Sequence, residues 1–154
     1  LTNFPAEPAP APFSYSIVPG HLGEAWLGMG PDRFFTVTSA SISLNNSVLL
    51  RQNEFGSSVP RCFSGGLRAV ETQFQLYEQD DVATKELYAA ARAQSPIEVT
   101  FQLGQQAGQL CGVRMKSLIP EVPEFDDGDG RLQWKFANSR AQGTIDDEIA
   151  VAFG

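Results

Sequence analysis

Leu67-Arg68-Ala69-Val70-Glu71-Thr72-Gln73-Phe74-Gln75-Leu76-Tyr77 is the stretch on which the fold turns. Val70, Thr72, Phe74 and Leu76 alternate with Glu71, Gln73 and Gln75. A period of two places the first set on one face of an extended strand and the second on the other, so the segment reads as a half-buried strand.

Downstream, Asp80-Asp81 opens a helix over about residues 80–94, with Asp80 placed to cap free backbone amides and both charges near the positive end of the helix dipole. Ala83, Leu87, Ala90 and Ala91 share a stripe at helical spacing, and Pro96 prevents continuation. Ile97, Val99, Phe101 and Leu103 alternate with Glu98, Thr100 and Gln102 as the next strand, and Cys111, Val113 and Met115 mark its return after the turn around Gly104 and Gly108. An acid-rich loop spans 120–130. Leu132, Trp134 and Phe136 form a further apolar face, and Ile149, Val151 and Phe153 form the last one. Upstream, Ala40, Ile42 and Leu44 face away from a row of serines, which predicts a half-buried strand ending at Asn45-Asn46. About six or more strands and one helix make a mainly β fold, an antiparallel β-sandwich or partly closed barrel with one flanking α-helix.

Two segments stand outside that pattern. Residues 1–33 are rich in Pro and Gly and read as an N-terminal arm or linker, within which Phe13 to Val18 has the makings of a short strand; residues 34–154 form the β domain. Between Leu44 and Leu67 lie 22 residues in which no element of their own is legible. Loops of that length in a compact domain are usually functional or disordered, so Asn45, Asn46, Asn53, Glu54, Phe55, Gly56, Ser57 and Ser58 are candidate contact residues.

The 154 residues suit one domain, and 42% hydrophobic content supplies a core without disulfide or metal staples. A formal net charge of −7 repels phosphate backbones, which opposes a DNA-gripping role without excluding a wall past which DNA slides. Cys62 and Cys111 lack the dense spacing of a disulfide scaffold and read as reduced, and no apolar run approaches the length of a membrane-spanning helix.

Chemistry-bearing residues are scarce. The one histidine, His21, has no nucleophile motif beside it, so no catalytic residue is assigned and the chain reads as a non-enzyme. One His and two dispersed Cys cannot make a zinc centre, and the segment Glu124-Phe125-Asp126-Asp127-Gly128-Asp129-Gly130 lacks the register of an EF-hand, so no metal or cofactor is expected. Trp26 and Trp134 lack the interleaved basic residues of a nucleic-acid stacking surface.

Val37-Thr38-Ser39-Ala40-Ser41-Ile42-Ser43-Leu44-Asn45-Asn46, Glu54-Phe55-Gly56-Ser57, Gly66-Leu67-Arg68-Ala69-Val70, Leu118-Ile119-Pro120-Glu121-Val122-Pro123 and Asp146-Asp147-Glu148-Ile149-Ala150-Val151-Ala152-Phe153, in that order and with the helix between the second and third strands, resemble the tail-tube (major tail protein) family of long-tailed bacteriophages. The resemblance covers roughly residues 36–153. It implies a structural virion protein, located in the virion tail and assembled in the host bacterial cytoplasm. Such subunits form rings, usually sixfold or pseudo-sixfold, that stack into a hollow conduit for DNA during genome ejection. By position, the 45–66 loop would bridge one ring to the next, and Glu121, Glu124, Asp126, Asp127 and Asp129 are candidate acidic lumen or loop residues. The implied partners are further copies of the chain, a tape-measure protein and a tail terminator, with DNA passing unbound and no membrane involved. A terminator or distal tail ring of similar fold is the nearest alternative. A carbohydrate-binding β-sandwich is a more distant one.

Overall fold

The computed structural model describes residues 18–28, 33–51, 55–56, 59–60, 62–128, 130–144 and 147–154. In chain order they form β1 (Glu24–Leu27), β2 (Val37–Asn45), β3 (Leu49–Arg51), β4 (Cys62–Ser64), β5 (Ala69–Tyr77), α1 (Val82–Ala93), β6 (Ile97–Leu103), β7 (Cys111–Ile119), β8 (Glu124–Asp126), β9 (Gln133–Ala141) and β10 (Ala150–Phe153). The fold is mainly β, with an antiparallel sheet of eight strands that does not close and one flanking helix.

The strand β5 has the alternation its sequence carries: Val70, Thr72, Phe74 and Leu76 are buried. It runs between β2 and β9 in the order β1-β6-β7-β9-β5-β2. The ladder between β7 and β9 is short, with Leu118 opposite Ala141 and Ile119 opposite Arg140. Beyond it the two strands part: β10 takes over beside residues 111–114 of β7, and β8 beside residues 133–135 of β9. The sheet therefore consists of two halves joined at a corner. The halves face each other across one core, where Phe74 of β5 stacks on Phe136 of β9 at 4.6 Å between centroids and lies 6.3 Å from Phe101 of β6. Thr72 Oγ1, fully buried on β5, donates to Met115 Sδ on β7 at 3.2 Å, giving the hydroxyl a partner where water has no access.

Two bulges set which side chains enter that core. In β9, residues 137 and 138 together oppose one residue of β5, and Asn138 adopts φ +50°. The buried series consequently passes from Trp134 and Phe136 to Ser139, a change of parity. In β7 the same device moves burial from Met115 to Leu118. A strict count by two from Leu132 or Cys111 goes wrong past these points.

The helix differs from expectation by one residue at its cap. Asp81, in extended conformation at φ −122°, is the N-cap, and its Oδ1 accepts from the Thr84 amide at 2.6 Å. Asp80 lies one residue outside and instead meets Lys85 Nζ at 2.5 Å. A cap must sit directly before the first helical residue, here Val82. Gln94 ends the helix in the left-handed region at φ 50°, and the Ser95 amide reaches back to the Ala90 carbonyl at 2.9 Å ahead of Pro96. The helix buries Thr84, Leu87 and Ala91, while Tyr88 packs against Trp134 with centroids 5.3 Å apart.

Other sequence expectations shift. Residues 24–27, read as part of the arm, form the edge strand β1, paired with β6 from Glu24–Gln102 to Leu27–Val99. Four residues among glycines are too few to show a period. The loop over 120–130 contains β8, and the 45–66 segment contains the β3–β4 hairpin, for the same reason of length. The apolar faces of two strands are not covered. Ala40 and Leu44 on β2 are exposed with only Ile42 half-buried, and on β10 Val151 and Phe153 are exposed. Alternation marks a strand, but burial requires a layer over it, and both strands lie where the described residues supply none. The short strand read at 13–18 falls outside the described residues except for Val18.

Candidate assembly surfaces

The β3–β4 hairpin carries apolar side chains outside the main sheet. Leu49, Leu50 and Arg51 pair with Ser64, Phe63 and Cys62, and neither strand joins the main sheet. Every residue of both strands is exposed, Leu49 at 70% and Phe63 at 72%. Val48, Phe55, Val59 and Leu67, near it in sequence, are exposed as well. Exposed apolar clusters are candidate interaction sites in a folded protein. The base of the hairpin is fixed: a side chain at Gly66 would meet the Ser47 carbonyl oxygen at 2.6 Å, and Arg68, just beyond, pairs with Glu148.

Of the residues singled out in the sequence, Asn45 ends β2 and its Oδ1 accepts from the Ser47 amide at 2.8 Å, shaping the turn into the hairpin. Asn46 is exposed beside it. Phe55 is fully exposed at the tip, followed by Gly56 at φ +81°. Asn53, Glu54, Ser57 and Ser58 lie outside the described residues. The larger exposed apolar residues, Leu49, Leu50 and Phe63, escape a reading of the segment as a loop. The run Val48-Leu49-Leu50 was the available signal, since three adjacent apolar residues are costly in a solvated loop.

A second surface is the outer edge of β2. Its inner edge pairs with β5 from Val37–Leu76 to Asn45–Ala69, and among the described residues no strand pairs with the other edge. Free edges of nine residues are unusual because they present unused amides and carbonyls to any passing chain.

The acidic candidates do not converge. Buried Pro120 and Pro123 anchor the loop, and the Glu121 amide donates to Ser139 Oγ at 3.2 Å, leaving the Glu121 carboxylate exposed. Glu124 stands across from Lys135 on β9, and Asp126 accepts from the Gly128 amide at 3.0 Å. Asp127 is exposed, and Asp129 lies outside the described residues. Among the described residues no group of three His, Cys, Asp or Glu could hold a metal ion. Elsewhere the exposed faces of the sheet carry ion pairs, with Glu98 to Arg114 at 2.8 Å and Asp147 to Lys116 at 2.7 Å. The hydrogen bond from Arg114 to Glu98 raises the arginine further above its ordinary value.

The third feature is a cleft of about 580 Å³ where the sheet fails to close. It is walled by β1, β2, β6 and β7, with Phe34, Ile42, Phe101 and Val113 among its apolar lining and the Glu24–Arg33 ion pair, at 2.7 Å, on its rim.

The sequence matches no protein-family model and no curated protein sequence. Solved structures do match in fold. A chain of the sixfold-symmetrised anti-feeding prophage baseplate is 10% identical, covering 92% of this chain and 98% of that one with a TM-score of 0.60. A chain of the anti-feeding prophage tube-terminating cap is 13% identical, covering 97% and 99% with a TM-score of 0.61. A type six secretion system protein is 14% identical, covering 77% and 78% with a TM-score of 0.51. The open β sheet with its flanking helix is thus a fold that this chain shares with components of phage-like tails and secretion systems.

Proposed function

We propose that the chain is a structural subunit of a phage tail or a phage-like tail apparatus, forming rings that stack into a tube. The observation that carries this reading is the presence, on one small domain, of a nine-residue sheet edge that no strand among the described residues covers and of an exposed apolar hairpin. The edge supplies lateral contacts, in which a strand of the next subunit continues the sheet around a ring. The hairpin supplies axial contacts, reaching one ring to the next as the sequence resemblance implies for residues 45–66. Heterologous contacts of both kinds grow an open filament until a partner stops them, which is where a terminator and a length-setting protein enter. With a net charge of −7 the lumen would repel a polyanion, and Glu121, Glu124, Asp126 and Asp127 are the exposed candidates to line it. The chain acts by assembly, without catalysis, in the virion tail.

A second reading has its own support: the near-complete mutual coverage with the tube-terminating cap suits a subunit that closes a tube as a single ring. Negative-stain electron microscopy of the concentrated protein, beside mass-calibrated size exclusion, separates the two. Stacked rings or hollow tubes are expected. Discrete single rings would give the cap reading, and a persistent monomer at all concentrations would defeat both.

A further inference from the structure

The ladders fix which parts of the molecule share an end. Strand β2 runs from Val37, opposite Leu76, to Asn45, opposite Ala69. Strand β9 carries the same sense across the corner, from Trp134, opposite Leu76, to Ala141, opposite Leu118, and Leu103 lies opposite Cys111 as Ile97 does opposite Leu118. The cleft is lined by Val37, Ala40 and Ile42 of β2, Leu103 of β6 and Cys111 of β7, so it opens at the end where β2 begins. The β3–β4 hairpin leaves β2 after Asn45 and leads back into β5 at Ala69, so it stands at the opposite end. One copy therefore carries an apolar projection at one end and an apolar recess at the other.

Shape and charge together select the occupant of the recess. Leu50 and Phe63 lie opposite each other in the hairpin ladder and give one side of it an exposed apolar pair. The cleft, with Phe34, Phe101 and Val113 in its walls and a volume of about 580 Å³, accepts large side chains of this kind. Among the described residues the cleft end carries the exposed carboxylates of Glu78, Asp80, Asp126 and Asp127 against Lys85 and Arg131. The hairpin end carries Arg51, Arg68, Arg92 and Arg140 against Glu71, Glu121 and Glu148. Stacking like ends sets carboxylates against carboxylates, whereas stacking unlike ends brings the arginines of one copy onto the acids of the next. A projection and a recess on different parts of one chain make a heterologous contact, which repeats without closing.

We propose that the β3–β4 hairpin of one copy docks in the cleft of the next copy, with Leu50 and Phe63 seated on its apolar walls. This rests on the assembly reading above and deepens it by naming where the axial contact lands. It also gives the stack a polarity, hairpin end onto cleft end throughout.

The two cysteines of the chain report the contact, since Cys62 adjoins Phe63 on the hairpin and Cys111 lines the cleft, both as free thiols. The concentrated full chain is treated with a short bismaleimide, and the products are read on a denaturing gel and by mass spectrometry of the linked peptides. A Cys62–Cys111 link between copies is expected, in a ladder that continues beyond the dimer because each copy offers one thiol at either end. Either C62S or C111S is expected to abolish it. The A40D/L103D variant, changed only at exposed cleft positions, is expected to lose the ladder at unchanged melting temperature. A ladder that persists in that variant would overturn the proposal. Links of Cys62 to Cys62 or of Cys111 to Cys111 that stop at the dimer would overturn it in favour of a contact between like ends. Tubes or stacked rings in the microscope without the Cys62–Cys111 link would remove the docking and leave the assembly reading standing. The ladder without rings would support the docking and remove the ring reading, and a chain that stays monomeric and unlinked would defeat both.

Discussion

Replacing Leu49 and Phe63 together by serine separates folding from assembly. Both side chains are about seven-tenths exposed and belong to a hairpin outside the main sheet, so their loss removes little from the monomer, within about 0.5 kcal/mol. If they are buried between rings, each contributes about 1.5–3 kcal/mol at full burial. Scaled by the exposed fraction, the pair amounts to roughly 2–4 kcal/mol per axial contact. At 1.4 kcal/mol per tenfold, the concentration at which L49S/F63S polymerises should rise by about 30-fold to nearly 1,000-fold. Sedimentation across a dilution series, with fluorescence melting as the stability control, measures both quantities. An unchanged critical concentration at unchanged melting temperature would refute the role given to the hairpin. A large fall in melting temperature would show that the hairpin is part of the core, against the exposure described above.

Phe136→Ala removes a fully buried ring stacked on Phe74 and should cost about 3–5 kcal/mol in urea denaturation, with Met115→Ala at about 2–5 kcal/mol. Gly104→Ala should be far more damaging than Gly108→Ala: both sit near φ +85°, but a Cβ at residue 104 would lie 2.0 Å from the Gln109 carbonyl oxygen while that at 108 meets open space. Asp81→Ala should cost about 1 kcal/mol through the lost N-cap, measurable by thermal melting. The Asp80 carboxyl is held below its ordinary value by a hydrogen bond and the charge of Lys85, so its contribution is present above the ordinary carboxylate pKa and fades as pH falls through the depressed one. Asp80→Asn should therefore change melting slightly at neutral pH and not at all in strong acid, and an equal effect at both would exclude the ion pair as its cause.

The β5, β6 and α1 elements were legible because each runs long enough to show its period, seven residues or more, with burial on one side. The β1, β3, β4 and β8 strands are three or four residues long and carry no period to read. The bulges at Asn138 and in β7 hid in turn, because a parity change is visible only once the partner strand is known. The candidate site followed the same logic. The unusual length of the 45–66 segment singled it out as a candidate contact region, and the apolar weight it carries at Leu49, Leu50 and Phe63 emerges only when these prove exposed. Likewise Ala40, Leu44, Val151 and Phe153 have the alternation of core residues, and only the layer above a strand decides whether that alternation is buried.

The corner at β9 also orders events in time. The β2–β5 pair and the β1–β6–β7 group are each made from chain that leaves the ribosome before residue 133, but among the described residues no backbone ladder joins them until β9 lies between β5 and β7. The Phe74–Phe136 stack at the centre of the core waits on the same strand. Long-range pairings of this kind form late and slowly. A nascent chain therefore holds two unfinished half-sheets, and its sheet becomes continuous only once residues 133–141 have appeared. The arrival of β9, and not that of the earlier β3–β4 hairpin, sets the moment at which the two half-sheets become one.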